Sequence, residues 1–297
     1  MRYVWLDGKL VPEKKATVSV MAHALHYGTA AFEGIRFYAT DEGPAIFKLD
    51  AHLKRLLYSA KTLGMKVPHS KTQLEGAIRA TVKRNGHKSG YIRPIIFYGK
   101  SNLGVPTHNV PVSVAIIVLP WGKYLPQHGI SIKSVSVKRF TPTAFDPNAK
   151  IGGVYVNSVV AHQQADSAGA DEALLLSENE YITEGSGENI FIVKKGVLYT
   201  PPLGNILPGI TRDTIMTLAK KEKIPVREKQ LRLKDCYTAD ECFFTGTAAE
   251  VTPIRLIDKK KVGKSVPGPI TKRLGELYES IITGREPRYR SWLTFVA

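Results

Sequence analysis

The chain has 297 residues, of which 43% are hydrophobic and 23% charged, a globular composition that excludes disorder. Its longest apolar run, Val110 to Pro120, is strand-sized and well short of the roughly 20 residues that span a bilayer. A net charge of +16 favours anionic ligands, yet the longest basic block is Lys259-Lys260-Lys261 and no nucleic-acid-binding signature occurs. The start of the chain lacks the apolar core of a signal peptide, and the two cysteines, Cys236 and Cys242, fit no common zinc spacing. A cytoplasmic protein with no membrane and no nucleic-acid partner is expected.

In chain order, Val4 to Leu6 and Ala45 to Leu49 read as strands. A helix follows from Asp50, taken as its N-cap, to about Leu63, with Gly64 just past its end. A second helix opens on Thr72-Gln73-Leu74-Glu75 as a capping box and closes at Gly86. Tyr91 to Tyr98 and Val112 to Leu119 are strand-like, and Pro94 inside the first predicts an edge or a bulge. A polar, turn-rich stretch then precedes strand-like alternation at Ile130-Ser131-Ile132. This places a smaller N-terminal α/β domain at 1–121, an interdomain loop at 122–129 and a larger domain at 130–297. The second half carries helices at about Val154 to Ser167, Thr211 to Glu222 and from Pro269 to Gly284. Strands are expected at Glu172 to Leu176, Asn189 to Val193 and Glu241 to Phe244. Strands and helices alternate, so the class is α/β with mixed, α+β-like sheets.

Two phosphate-loop look-alikes, Gly99-Lys100-Ser101 and Gly263-Lys264-Ser265, lack the upstream glycine, where Pro94 and Asp258 stand. His23 and His26 have no acidic or histidine partner at helical spacing, so no metal is expected. Four other segments carry chemistry. Lys150 stands between a loop and a helix and is followed by Gly152-Gly153, which would let backbone approach a flat ligand. A lysine held in a pocket can act as an amine nucleophile towards an aldehyde. Tyr181-Ile182-Thr183-Glu184-Gly185-Ser186-Gly187-Glu188-Asn189 reads by itself as a hairpin with surface acids. Leu207-Pro208-Gly209-Ile210-Thr211 runs into a helix start, where N–H groups and the helix dipole favour an anion. Last, Thr245-Gly246-Thr247-Ala248-Ala249 follows a strand with small residues whose N–H groups could face a carboxylate or phosphate.

Their order resembles the fold-type IV pyridoxal-phosphate enzymes (class IV aminotransferases), and specifically the branched-chain amino acid aminotransferases. The first half agrees, through His23-Ala24-Leu25-His26-Tyr27-Gly28, Phe32-Glu33-Gly34-Ile35-Arg36, His52-Leu53-Lys54-Arg55-Leu56, Tyr91-Ile92-Arg93-Pro94 and Pro120-Trp121-Gly122. The resemblance spans Val4 to Thr283. It implies a two-domain architecture with the active site between the domains and pyridoxal 5'-phosphate as cofactor. Lys150 corresponds to the catalytic lysine that binds the cofactor covalently, and Glu184 to the carboxylate that pairs with the pyridine nitrogen. Tyr155 matches the phenol that meets the ring oxygen, and Leu207 the side chain packed on the ring. Arg55, Ile210, Thr211 and Thr247 match the phosphate ligands. On helical geometry of roughly 100° per residue, Arg55 lies opposite the stripe Leu53, Leu56, Leu57, Ala60, so the pattern alone makes it a solvated arginine.

The resemblance further implies ping-pong transamination of leucine, isoleucine and valine with 2-oxoglutarate, as in branched-chain amino-acid biosynthesis. Substrate-binding positions would be Tyr27, Phe32, Gly34, Tyr91, Arg93, Trp121, Tyr124, Thr247 and Ala248. Arg93 and Tyr27 would meet the side-chain carboxylate of glutamate; the Tyr91 hydroxyl and the Thr247 and Ala248 backbone would meet the α-carboxylate. A loop around Leu103-Gly104-Val105 would reach the pocket of a neighbouring subunit. That implies a homo-oligomer, at least a dimer and compatible with a hexamer built as a trimer of dimers. D-amino acid aminotransferases, R-selective amine transaminases and aminodeoxychorismate lyases share the lysine, the glutamate and the phosphate cradle. They stand as alternatives within the fold, with a basic nucleic-acid-binding protein as the remote one.

Overall fold

Short runs of β-branched and aromatic residues build two sheets in the computed structural model, which describes residues 2–122 and 128–296. The chain groups into two units: Met1–Gly122 with Ala149–Val154 and Ser280–Ala297, and Lys123–Asn148 with Tyr155–Glu279. The sequence-based boundary at 122–129 leaves Lys150 in the second half, whereas here Ala149–Val154 is grouped with the first unit. Three backbone links hold it there. Phe32 N donates to Lys150 O (3.1 Å), Gly153 N donates to Gly28 O (2.9 Å), and Ala31 pairs with Ile151 as an isolated bridge.

The first unit comprises β1 (Tyr3–Leu6), β2 (Lys9–Pro12), the short helix α1 (His23–Tyr27), β3 (Ala30–Phe32), β4 (Ile35–Thr40) and β5 (Gly43–Phe47). Helices α2 (Leu49–Thr62) and α3 (Lys71–Asn85), then β6 (Gly90–Tyr98) and β7 (Val112–Leu119), complete it. The strands, with Leu293–Phe295 added beside β5, make an antiparallel sheet. Leu53, Leu56 and Ala60 of α2 and Ile78 and Val82 of α3 share a buried core with Phe37, Ile92, Ile96 and Val114.

Three local expectations shift. Helix α2 begins at Leu49, with Lys48 rather than Asp50 at the cap. Lys48 is left-handed (φ 48°), its N–H donates to Trp292 O (2.7 Å), and its ammonium sits 4.1 Å from the Trp292 ring centroid. Asp50 therefore falls in the first turn and pairs with Lys54 at 2.7 Å and with Lys71. The capping box of α3 is Ser70 with Gln73, each accepting from the other's backbone N–H, so it opens before Thr72. Pro94 sits in β6, between β7 and the β3–β4 pair, and not at an edge. Its carbonyl accepts from Glu33 N (2.9 Å), so its side without an N–H faces the gap where β3 has ended and β4 has not begun.

The second unit contains β8 (Ile130–Ser134), α4 (Tyr155–Ser167), β9 (Glu172–Leu176), β10 (Ile182–Gly185), β11 (Asn189–Lys194) and β12 (Val197–Thr200). Helix α5 (Ile210–Lys221), β13 (Val226–Glu228), α6 (Leu233–Tyr237), β14 (Glu241–Gly246), β15 (Glu250–Ile257), β16 (Lys260–Lys261) and α7 (Pro269–Ile282) follow, with the last residues of α7 grouped in the first unit. The sheet is mixed: β8 runs parallel to β9 and to β15, and β12 to β13. Because β10 hydrogen-bonds both β9 and β11, the path β10-β9-β8-β15-β14-β11 closes on itself, barrel-like. Ile130, Leu174, Ile190, Ile192, Phe244 and Ile254 are buried in one core of this unit. Both sheets, with their helices, make the α/β class expected from the sequence. Among the described residues, no helix is long and apolar enough to cross a membrane.

Candidate active site

In the first unit, one polar strip of α2 is covered. His52, Arg55 and Ser59, at spacings of three and four, stand on one face of the helix. Over that face lies Glu33, in the β3–β4 break, with no solvent exposure. Arg55 Nε donates to Glu33 Oε1 (2.5 Å) and Arg55 Nη2 to Oε2 (3.0 Å); His52 Nδ1 lies 2.7 Å from Oε2. Burial by itself pushes the Glu33 carboxyl up, but the Arg55 and His52 charges and hydrogen bonds outweigh it and hold it well below the usual carboxylate range. Burial also lowers the His52 pKa, against the pull of Glu33. Ser59 Oγ accepts from Lys150 N and donates to Arg55 O, both at 2.8 Å, so one hydroxyl joins the helix to the lysine's backbone.

The Lys150 ammonium lies 4.9 Å from the Phe32 ring centroid, and the Arg93 guanidinium is also 4.9 Å from that ring. Arg93 Nη2 donates to the Tyr91 hydroxyl (2.9 Å), and the Tyr91 ring lies tilted against Trp121 with centroids 5.2 Å apart. Arg93 Nε is buried and has no hydrogen-bond partner among the described residues. Gly34 is needed here: a Cβ on it would lie 2.0 Å from the Tyr91 hydroxyl. Tyr27 donates to Leu103 O (2.6 Å), and the His23 ring contacts the Gly104 and Val105 carbonyls at 3.1 and 3.2 Å, so the 103–105 loop is held on these two side chains. The glycines after Lys150 also pack within the fold. Gly153 packs on Gly28, itself left-handed at φ +65°, where a Cβ would come within 2.4 Å of Gly153 Cα.

In the second unit, Glu184 is buried, not a surface acid. Arg139 Nη2 lies 2.7 Å from its Oε1, while Oε2 accepts from Leu207 N (3.0 Å) and Asn189 Nδ2 (3.2 Å). The Asn189 amide also donates to Leu207 O (3.0 Å), which pins the Leu207 loop to the carboxylate. Just beyond that loop, α5 starts at Ile210 with Gly209 as its cap, which has no side chain to cap the first-turn N–H groups. Thr211 is buried in that turn, Tyr155 opens α4, and Thr247 and Ala248 lie in the tight turn from β14 to β15. Tyr124 lies outside the described residues.

The structure thus gathers Phe32, Gly34, Arg55, Tyr91, Arg93, Trp121 and Lys150 in one unit and joins Glu184 to Leu207 in the other. Sequence reasoning missed the partners Glu33, His52, Ser59, Arg139 and Asn189. Glu33, His52 and Asn189 stand inside motifs already singled out, but Arg139 carries no local signal.

Residues 30–257 match the model of the amino-transferase class IV family. The chain belongs to the class IV aminotransferases, and its α/β fold is that of this class. Within the class it belongs with the branched-chain-amino-acid aminotransferases. It is 44% identical to that enzyme of Pseudomonas aeruginosa over 99% of this chain and 97% of the other. With the Escherichia coli K12 enzyme it shares 43% identity over 98% of this chain and 96% of the other. Among solved structures it is similar to the T.th. branched-chain amino acid aminotransferase complexed with N-(5'-phosphopyridoxyl)-L-glutamate, with TM-score 0.97, 47% identity and coverage of 100% and 99%. The same T.th. enzyme with pyridoxamine 5'-phosphate also aligns at TM-score 0.97, with 46% identity and the same coverage.

Proposed function

We propose that the protein transfers the amino group of leucine, isoleucine or valine to 2-oxoglutarate, giving a branched 2-oxo acid and glutamate, with pyridoxal 5'-phosphate as cofactor. The observation that carries this is Lys150: its backbone is fixed by Phe32 and Ser59, and its amine is set beside the Phe32 ring. The residues present fit such a group. An ionisable carboxylate with three donors suits a pyridinium, a helix start without a capping side chain suits a phosphate, and a buried Arg93 Nε without a partner suits a carboxylate. Bound there, the cofactor supplies an aldehyde to receive the amino group and a ring that withdraws electrons from the α-carbon.

The chain's own groups do the rest. Lys150 would hold the cofactor covalently, and its freed amine would be the base that takes the α-proton of the substrate. Glu184 holds the proton on the ring nitrogen, and Tyr155 hydrogen-bonds the ring oxygen. Arg55, the Ile210 and Thr211 N–H groups and Thr247 bind the phosphate, and Leu207 packs on the ring. Tyr91 with the Thr247 and Ala248 backbone orients the α-carboxylate. Arg93 and Tyr27 take the side-chain carboxylate of glutamate, while Phe32 and Trp121 form the apolar wall for branched side chains. We also propose at least a homodimer, supported by the exposed apolar side chains Val18, Val20, Leu25 and Val105. A cytoplasmic location is in keeping with both cysteines being free thiols.

The test is Lys150→Ala. It should lose turnover and the yellow absorbance of the bound cofactor, and borohydride reduction of the native protein should tag Lys150 on peptide mapping. Turnover retained in the variant, or a tag on another residue, overturns the assignment.

A further inference from the structure

Glu33 and His52 lie behind Arg55, and both are fully buried, with 0% and 1% exposure. Burying an ionised carboxylate is costly unless its lone pairs are met. Those of Glu33 are met by Arg55 Nε and Nη2, His52 Nδ1 and Gly34 N (3.2 Å). The contact is a two-point pairing of guanidinium with carboxylate. A guanidinium is planar, so fixing its Nε–Nη2 edge also fixes the direction in which its other N–H bonds point. Glu33 is itself anchored by its N–H to Pro94 O and by the His52 ring, which approaches Oε2 from a second direction. In addition, Ser59 links the Arg55 carbonyl to the Lys150 amide.

We propose that Glu33 and His52 are positioning residues which aim the Arg55 guanidinium at the phosphate of the cofactor. This rests on the reading of Arg55 as a phosphate ligand. Because Glu33 offsets the arginine's charge, Arg55 acts here through directed hydrogen bonds more than through net charge, and aim matters accordingly. A helix with a solvated arginine at this position would need no buried carboxylate and no buried imidazole behind it.

The test compares binding of pyridoxal 5'-phosphate with binding of pyridoxal, which lacks the phosphate, to cofactor-free full-length protein, followed by absorbance. Arg55→Ala should abolish most of the preference for the phosphorylated form. Glu33→Gln and His52→Leu should each lower affinity for the phosphorylated form about tenfold or more, the scale of one charged hydrogen bond, and leave pyridoxal affinity within about twofold. His52→Asn, which keeps a donor near the Nδ1 position, should restore most of the loss seen in His52→Leu. If Arg55→Ala loses the preference but Glu33→Gln and His52→Leu keep it, the positioning role is overturned and the phosphate reading survives. Equal losses for both ligands mark a merely structural role and overturn it as well. If Arg55→Ala keeps the preference, the phosphate reading itself falls and takes the proposal with it. Should Glu33→Gln fail to fold, the His52→Leu and His52→Asn pair decides the question by the same comparison.

Discussion

Gly34→Ala tests how the Tyr91 hydroxyl is held. A Cβ at Gly34 would stand 2.0 Å from that oxygen and 2.8 Å from Tyr91 Cζ, while the backbone there is not left-handed and accepts alanine. Ordinary contact begins near 3.5 Å, so the phenol must withdraw by about 1.5 Å. It cannot do so in place, because Tyr91 packs against Trp121 and its hydroxyl accepts from Arg93. A displacement of about 1 Å in a substrate-orienting group costs on the order of a hundredfold in rate, equivalent to about 2.7 kcal/mol. Overpacking adds about 1–3 kcal/mol of lost stability. The expected result is a kcat/KM for leucine reduced about a hundredfold, with the spectrum of the bound cofactor unchanged. Steady-state kinetics beside a thermal melt read both effects. A variant within twofold of the parent in kcat/KM, melting at the same temperature, would falsify the idea that the missing side chain at position 34 reserves the place of the Tyr91 hydroxyl.

Three further outcomes follow from the same contacts. Arg93→Ala should reduce activity with glutamate or 2-oxoglutarate much more than activity with leucine, and equal losses in paired half-reaction assays would show that Arg93 does not discriminate. Arg139→Leu leaves Glu184 buried without its cation and should cost about 3–5 kcal/mol in urea unfolding. Adding Glu184→Gln to that variant should recover part of the loss, and a double variant no more stable than the single would argue against the pair. Tyr237 donates to Asp258 Oδ2 (2.7 Å), and burial first, then Asp258, pushes its phenol up to about 12. A raised value stabilises the fold fully below the ordinary 10 and is lost as pH rises from 10 to about 12. Tyr237→Phe should therefore flatten the alkaline loss of stability in that window; an unchanged slope in melts across it would contradict the assignment.

Elements governed by local chemistry were legible in the chain itself. Glycines at 64 and 86, the proline opening α7 and the buried stripe Leu274, Leu277, Ile281 declare helix ends and faces, since caps and periodicity act over a few residues. The ordered motifs around Lys150, Glu184 and Thr211 likewise carry the family resemblance without any structure. Short strands such as β3, β12 and β13 stayed hidden, because three or four residues show no period and are strands only through their neighbours. Whether a polar side chain is solvated or buried is also a long-range matter. Arg55 looks exposed from its helix alone, and Glu184 looks like a turn acid. Glu33, 22 residues before Arg55, and Arg139, 45 residues before Glu184, enclose them, and no local pattern encodes a pairing over that distance. The sequence by itself determined the class and singled out Lys150 and Glu184 as candidates. Tertiary packing alone decided which charges are paired out of water, because desolvation depends on what the fold brings over a side chain and not on what precedes it in the chain.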